Sequence, residues 1–221
     1  MVELKPPITQ IALDYPTIEE AIEYAHIAVE AGFDWLEIGT PLITVQGIAP
    51  IGQLVKEFPG RVVLADYKTM DSGFKNVQRT KDQGGHLMTV CGNASDATVR
   101  SAIDEGKKLD IGVVVDTIGA RDHAERGRQC HEWGADLIYI HYSADERRAD
   151  DQHGATQWLQ AVLDAVPGPV GLSCFNAEDG AIAAKMGAEY FVTGYPPLQG
   201  DNPLAVMAEF VQAVKENYTP R

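Results

Sequence analysis

The run Leu64-Ala65-Asp66-Tyr67-Lys68-Thr69-Met70-Asp71-Ser72-Gly73 sets two acids around one lysine. On an extended backbone, side chains two residues apart face the same way, so Asp66 and Lys68 should share one face and Tyr67 the other. Carboxylates beside an ammonium keep the lysine charged yet locally neutralised. Such a group suits an anion developing on a substrate oxygen. Glu37, on a neighbouring strand, could join Asp66 in holding magnesium, a hard cation that favours oxygen ligands. The plainer reading is an ordinary Asp–Lys ion pair, and spacing alone leaves both open.

Positioning these groups falls to a regular alternation of elements. Short, mostly apolar runs occur at 8–13, 35–38, 61–65, 87–90, 111–115, 137–140, 170–172 and 190–193. Their lack of strict alternation fits parallel strands buried on both faces. Amphipathic stretches of helical length lie between them: one opened by Thr17 and Glu20 as a capping box, and one from Ser95 or Asp96 to about Lys108. Residues 121–133, 177–186 and 203–217 read the same way, with Pro203 at a first helical position. Gly32, Gly84-Gly85, Gly106, Gly134 and Gly187 fall where helices should end. The first strand is followed by Asp14-Tyr15-Pro16-Thr17 rather than a glycine-rich phosphate loop, which argues against an open doubly wound sheet. The expectation is a (β/α)8 TIM barrel, one domain over residues 1–221.

Barrel enzymes place their chemistry at the C-terminal ends of the strands. Those ends carry Asp14, Glu37, Asp66 with Lys68, Cys91-Gly92-Asn93, Asp116-Thr117, His141, Ser173-Cys174 and Gly194-Tyr195. A single Asp at a strand end is usually a helix cap; carboxylates, a lysine and a histidine converging on one mouth exceed what a structural barrel needs.

The chain has 221 residues and a formal net charge of −14. An envelope this acidic repels phosphate backbones and anionic lipid, which points away from nucleic acid and membrane surfaces. A small anionic substrate remains compatible with a local cationic site. No apolar run approaches the ~20 residues of a membrane span, and the start lacks a signal-peptide core. Cys91, Cys130 and Cys174 form no CxxC pair, so the expected setting is a reducing cytoplasm. His123 and His153 have no evident partner and default to the surface.

Ala12-Leu13-Asp14, Glu37-Ile38-Gly39-Thr40-Pro41 and the D-x-K-x-x-D run from Asp66 to Asp71 resemble the orotidine-monophosphate decarboxylase superfamily. More narrowly they resemble its branch of 3-hexulose-6-phosphate synthase and 3-keto-L-gulonate-6-phosphate decarboxylase. Thr89-Val90-Cys91-Gly92, Asp96-Ala97-Thr98 and Ile140-His141 continue the resemblance, which fades after about Asp145; Pro41 and the wording of 68–71 are nearer the synthase. The resemblance implies a lyase acting on a sugar or sugar phosphate, with Mg2+ held by Glu37 and Asp66. It implies that Lys68 stabilises an enediolate, that Asp14 binds substrate hydroxyls, and that His141 shuttles a proton or orients a hydroxyl. It also implies a homodimer in which Asp71 crosses into the partner's site. The synthase-type reaction that the resemblance implies is an aldol joining or releasing formaldehyde and a pentulose phosphate. Decarboxylation of a 3-keto sugar acid is the alternative, and a catalytically silent sugar- or partner-binding barrel is the rival of another class.

The pattern breaks after the seventh and eighth strands, where the resemblance implies glycine-rich turns gripping phosphate. Here the turns read Leu172-Ser173-Cys174-Phe175-Asn176 and Thr193-Gly194-Tyr195-Pro196-Pro197. Prolines lack the amide hydrogen a phosphate would use. Either the substrate has lost its phosphate, or Ser173, the amide of Tyr195 and Arg147 or Arg148 rebuild the grip. The charged loop 144–153 suits either a mobile lid or solvated surface.

Overall fold

The computed structural model describes residues 2–194 and 201–221. Eight parallel strands close into a barrel in chain order: β1 (Ile8–Leu13), β2 (Trp35–Ile38), β3 (Val62–Thr69), β4 (Leu87–Cys91), β5 (Gly112–Asp116), β6 (Leu137–Ile140), β7 (Val170–Ser173) and β8 (Tyr190–Gly194). β1 closes the ring against β8, with Ile8 opposite Tyr190 and Ala12 opposite Gly194. Gly194 is fixed by that closure, because a Cβ there would lie 2.6 Å from the Ala12 carbonyl oxygen.

Alternate residues along each strand build two cores. Ile8, Ala12, Trp35, Leu64, Leu87, Val114, Leu137, Tyr139, Tyr190 and Val192 fill the barrel interior. The intervening residues, among them Ile11, Leu13, Leu36, Ile38 and Phe191, face the surrounding helices. A floor of aromatic rings closes the interior beneath the mouth, with Tyr190 at 5.6 Å from Trp35 and 5.9 Å from Tyr139 between ring centroids. This is a packed core rather than a channel, so chemistry is confined to the open end.

The outer layer comprises α1 (Ile18–Ala31), α2 (Thr40–Gln46), α3 (Ala49–Glu57), α4 (Gly73–Asp82), α5 (Asp96–Leu109), α6 (His123–Glu132), α7 (Ala144–Ala149), α8 (Thr156–Ala165), α9 (Ala177–Met186) and α10 (Pro203–Asn217). Thr17 caps α1 as read, its side chain accepting from the Glu20 amide. Gly106, read as a helix end, lies inside α5 instead, and the left-handed turn is made by Asp110 at φ 58°. The part of the charged loop at 144–149 is helical, with a complete capping box between Ser143 and Glu146. His123 is buried, not on the surface: its ring stacks on Trp158 at 4.1 Å and its Nδ1 meets Thr117 Oγ1 at 2.8 Å.

The largest departure from the sequence reading is in β3. The strand runs on to Thr69, and its register with β4 slips between Ala65 (opposite Met88) and Thr69 (opposite Val90). Four steps on β3 thus answer two on β4, a bulge of the kind that re-aims side chains beside active sites. Lys68 sits in it with φ at +45°, a region that a non-glycine residue rarely occupies without a local reason.

Candidate active site

One pocket opens at the C-terminal mouth of the barrel. Its lining includes Asp14, Glu37, Asp66, Lys68, His141, Ser173 and Gly194, brought together from β2, β3, β7 and β8 and from the turns after β1 and β6. Asp71 is not among them. It is exposed in the turn after β3, where its Oδ1 accepts from the Ser72 amide at 2.7 Å. Tyr195 lies outside the described residues.

Asp66 and Lys68 do converge, but through the bulge rather than through the pleat of an extended strand. The Lys68 ammonium is hydrogen-bonded to Asp66 Oδ2, and two threonines fix the pair. Thr89 Oγ1 accepts the Lys68 amide at 2.9 Å, which the bulge has withdrawn from the β4 ladder, and donates to Asp66 Oδ1 at 2.7 Å. Thr40 Oγ1 accepts from Lys68 Nζ at 3.1 Å and donates to Asp66 Oδ2 at 2.6 Å. Tyr67 faces the helices as read, its hydroxyl 3.4 Å from Thr80 Oγ1.

The electrostatics follow from burial and crowding. Burial alone would raise the Asp66 carboxyl, yet the Lys68 charge and bonds from Lys68, Thr40 and Thr89 hold it below the ordinary aspartate value. Burial opposes the Lys68 charge, but Asp66, Asp116 and Glu37 outweigh it and push the ammonium pKa up, so it stays charged. Glu37 is raised well above the ordinary value by burial and then by its neighbours Asp66 and Asp14. Asp14 is raised to about 6, first by burial and then by Asp66. Its carboxylate leans over Gly39, where any Cβ would collide with it.

Across the pocket, His141 Nδ1 lies 2.9 Å from Asp116 Oδ2, and Asp116 Oδ1 accepts from the Ile118 amide at 2.9 Å. Asp116 is fully buried and His141 only partly. An acid in this position fixes the imidazole with Nδ1 as donor and leaves Nε2 for proton exchange. Tyr139 and Tyr190 line the base of the pocket, and burial keeps both phenols protonated.

Among the described residues, no three His, Cys, Asp or Glu side chains converge tightly enough to hold a metal unaided. Magnesium needs fewer protein ligands, commonly one or two carboxylates with water and substrate completing the shell. Glu37 and Asp66 fit that demand, because their mutual repulsion in a buried site is what a divalent cation relieves. Gln10 marks the same spot: its Nε2 donates to Glu37 Oε2, while its Oε1 is buried with no partner among the described residues.

Gln10 escaped the sequence reading, and Thr40 and Thr89 entered it only inside the family motifs, with no role of their own. Gln10 carried a usable signal, a lone amide in the apolar run Ile8–Leu13, in phase with the inward-facing Ile8 and Ala12. The threonines carried no signal for a role from residue type alone, since Thr is ordinary in strands and at helix starts.

The loop arginines take no part in the pocket. Arg147 donates to the carbonyls of Asp151 and His153 and lies over the Phe175 ring at 5.2 Å, and Arg148 is exposed. Among the described residues, no helix is long and apolar enough to cross a membrane.

Comparison with known proteins places this geometry. The family model for orotidine 5'-phosphate decarboxylase / HUMPS matches residues 7–217. 3-Hexulose-6-phosphate synthase of Mycobacterium gastri is 33% identical over 209 residues, covering 93% of this chain and 98% of that protein. The synthase of Bacillus subtilis is 36% identical over 136 residues, a stretch spanning 62% of this chain and 64% of the relative. The structure of the Salmonella typhimurium 3-hexulose-6-phosphate synthase superposes with a TM-score of 0.89 at 26% identity, covering 96% of this chain and 100% of that one. The chain belongs to the orotidine 5'-phosphate decarboxylase / HUMPS family, in the branch that contains 3-hexulose-6-phosphate synthase.

Proposed function

We propose that the protein is a carbon–carbon lyase of the 3-hexulose-6-phosphate synthase kind, an aldolase that joins formaldehyde to a pentulose phosphate or releases it. The observation that carries this reading is the Asp66–Lys68 pair, ringed by Asp14 and Glu37 and faced by the Asp116–His141 pair in one pocket. Magnesium, held by Glu37 and Asp66, would supply Lewis-acid polarisation of adjacent substrate oxygens.

The chain's own groups account for the proton and charge traffic. A base in the pocket, His141 Nε2 or the Asp14 carboxylate, takes a proton from the ketose carbon beside the carbonyl. The electrons left behind spread over two oxygens as an enediolate, and the Lys68 ammonium stabilises that charge in a water-poor site. The enediolate carbon bonds to formaldehyde, whose oxygen becomes an alkoxide and recovers a proton from the protonated base. Asp14, at about 6, changes charge close to neutral pH, as a proton carrier should.

We also assign a homodimer in which Asp71 reaches the partner's site. Its support is exposure: Asp71 sits beside Met70 (56% exposed) and Phe74 (39%), apolar side chains that a second copy would cover. A cytoplasmic setting would keep the three buried, free cysteines reduced.

The test is product analysis with formaldehyde and ribulose or ribulose 5-phosphate, in magnesium, for the wild type and Lys68→Ala. A hexulose product from the wild type, reduced at least ~10³-fold in the variant, supports the reading. Near-normal rates in a folded Lys68→Ala protein reject the mechanism. Release of carbon dioxide from a 3-keto sugar acid, with no aldol product, assigns the decarboxylase instead. No change in melting temperature with magnesium and any of these ligands favours a silent barrel.

A further inference from the structure

His123 is a buried imidazole that takes no part in the proton traffic, yet it is bonded into the support of one that does. Its ring lies in the first turn of α6, stacked on Trp158 at 4.1 Å between centroids, with Nδ1 2.8 Å from Thr117 Oγ1. Thr117 is itself fully buried and directly follows Asp116, the acid paired with His141.

Thr117 joins the two strands whose ends carry that pair. Asp116 stands opposite Tyr139 in the β5–β6 ladder. Just past that register the Thr117 amide donates to the Tyr139 carbonyl at 2.9 Å, and the Thr117 hydroxyl reaches the same carbonyl at 3.0 Å. One carbonyl held by two donors thus sets the spacing between Asp116, one residue before Thr117, and His141, two residues after Tyr139. On its other side the Asp116 carbonyl accepts from the Gly92 amide at 2.6 Å, so the acid is fixed from both neighbouring strands.

The direction of the chain follows from its chemistry. A hydroxyl has one hydrogen to give, and a carbonyl can only accept. Thr117 Oγ1 therefore donates to Tyr139 and accepts from His123, whose Nδ1 carries the proton. Burial holds the His123 imidazole below its ordinary pKa against the pull of Glu146, Asp122 and Asp116, which keeps the ring neutral with a single hydrogen to place. The Trp158 ring that stacks on His123 also lies 5.6 Å from Tyr142, which follows His141 and lines the pocket. His141 is thus bracketed by two residues, Tyr139 and Tyr142, that the cluster around His123 holds.

We propose that His123 and Thr117 are positioning residues for the Asp116–His141 pair, the hydrogen-bonded chain from His123 through Thr117 to the Tyr139 carbonyl setting where the His141 imidazole stands. Neither residue lines the pocket. They act on proton transfer through His141, so the proposal rests on the lyase reading and deepens it by naming what holds the base. A base displaced by a fraction of an ångström loses rate while substrate affinity is kept.

Nuclear magnetic resonance of the full-length, substrate-free protein with nitrogen-15 histidine, its lines assigned through His141→Gln, reads the pair directly. In the wild type the His141 Nδ1 hydrogen bonded to Asp116 should give a downfield proton signal. Thr117→Val keeps the shape and removes the hydroxyl. It should make that proton exchange with water at least ~10-fold faster, and should lower kcat about tenfold with KM changed by less than about twofold. His123→Phe, which keeps a ring against Trp158 and removes the donor, should do the same. Thr117→Ser restores the hydroxyl and should return both quantities to within about threefold of the wild type. Wild-type exchange in both Thr117→Val and His123→Phe, or a loss that falls on KM with kcat unchanged, overturns the proposal. So does a Thr117→Ser protein as impaired as Thr117→Val, which would make the effect one of packing. The exchange measurement needs no substrate. If it responds as stated while the wild type forms no product from any ketose, the lyase reading falls and the positioning of His141 stands.

Discussion

The two halves of the barrel mouth are built on opposite principles. The half formed by β1–β3 concentrates charge: Asp14, Glu37 and Asp66 lie close enough to shift one another's protonation, and Lys68 offsets them. The half formed by β7 and β8 carries Ser173, Cys174, Phe175 and Thr193, none of them charged. In the first half strain is tolerated, since Lys68 holds a positive φ; in the second the Cys174 and Phe175 amides of the turn after β7 are satisfied within the protein. The difference sets a charged part, suited to proton and anion chemistry, beside an uncharged part of the same pocket.

The largest effect should come from removing the cation that balances the charged half. Lys68→Met should cut turnover by at least ~10³-fold and destabilise the metal-free protein by roughly 3 kcal/mol or more, because Asp66 is left as an uncompensated buried charge. Paired rate and denaturation measurements check both. A variant that loses activity with unchanged stability would show that the acids are better solvated than their burial implies.

Glu37→Gln should act in opposite senses on function and folding. Losing one of two metal-binding oxygens should abolish the rise in melting temperature with magnesium. Removing a buried, repelled acid should leave the metal-free fold as stable or more stable. Thermal melts with and without magnesium decide it; a magnesium response retained in the variant would move the metal away from Glu37.

Asp14 gives a smaller effect with a definite sign. Its folded-state pKa of about 6 lies above the ordinary 3.8, so between these values the folded protein binds more protons than the unfolded chain. Stability without metal should therefore rise as pH falls from about 6 toward 4, and the penalty is fully present above 6. Asp14→Asn should remove roughly 1–3 kcal/mol of that penalty at pH 7 and flatten this part of the profile, with Glu37 still contributing a slope of the same sign. Denaturant titrations from pH 4 to 8 measure it. A profile unchanged by the substitution would mean that Asp14 is more exposed than the geometry indicates.

The smallest effect should be in the uncharged half. Ser173→Gly should change turnover by less than about threefold, since the serine hydroxyl serves the Tyr142 backbone rather than the reacting atoms. A larger loss of turnover would make that hydroxyl part of the chemistry.

What was legible in the sequence follows local signals. The helices read in advance, α1, α5, α6, α9 and α10, each begin with a side chain that accepts an amide hydrogen: Thr17, Ser95, Asp122, Asn176 and Asn202. The helices that went unread, α2, α3, α4 and α8, begin at Gly39, Ile48, Ser72 and Ala155 without such a bond. Packing against the barrel holds those in place, which no window of sequence reports. The remaining one, α7, has a full capping box but is too short to show a helical period. The pocket-lining residues Asp14, Glu37, Asp66, Lys68, His141, Ser173 and Gly194 were legible because strand ends point at the mouth, and the buried His123 was not, because its partners Thr117 and Trp158 are joined only by the fold. The bulge in β3 was invisible for a like reason: it depends on Thr89 of the next strand receiving the Lys68 amide.

The central claim is that Lys68, beside acid-held magnesium, stabilises an enediolate, and carbon-bound proton exchange reads this directly. In heavy water with magnesium and a pentulose but no formaldehyde, the wild type should replace hydrogen by deuterium at the carbon beside the carbonyl. Nuclear magnetic resonance should show that signal decay at least ~10³-fold faster than with Lys68→Ala. A wild type that leaves the proton in place on both ribulose and its phosphate, or a Lys68→Ala protein that exchanges it at the same rate, would contradict the account.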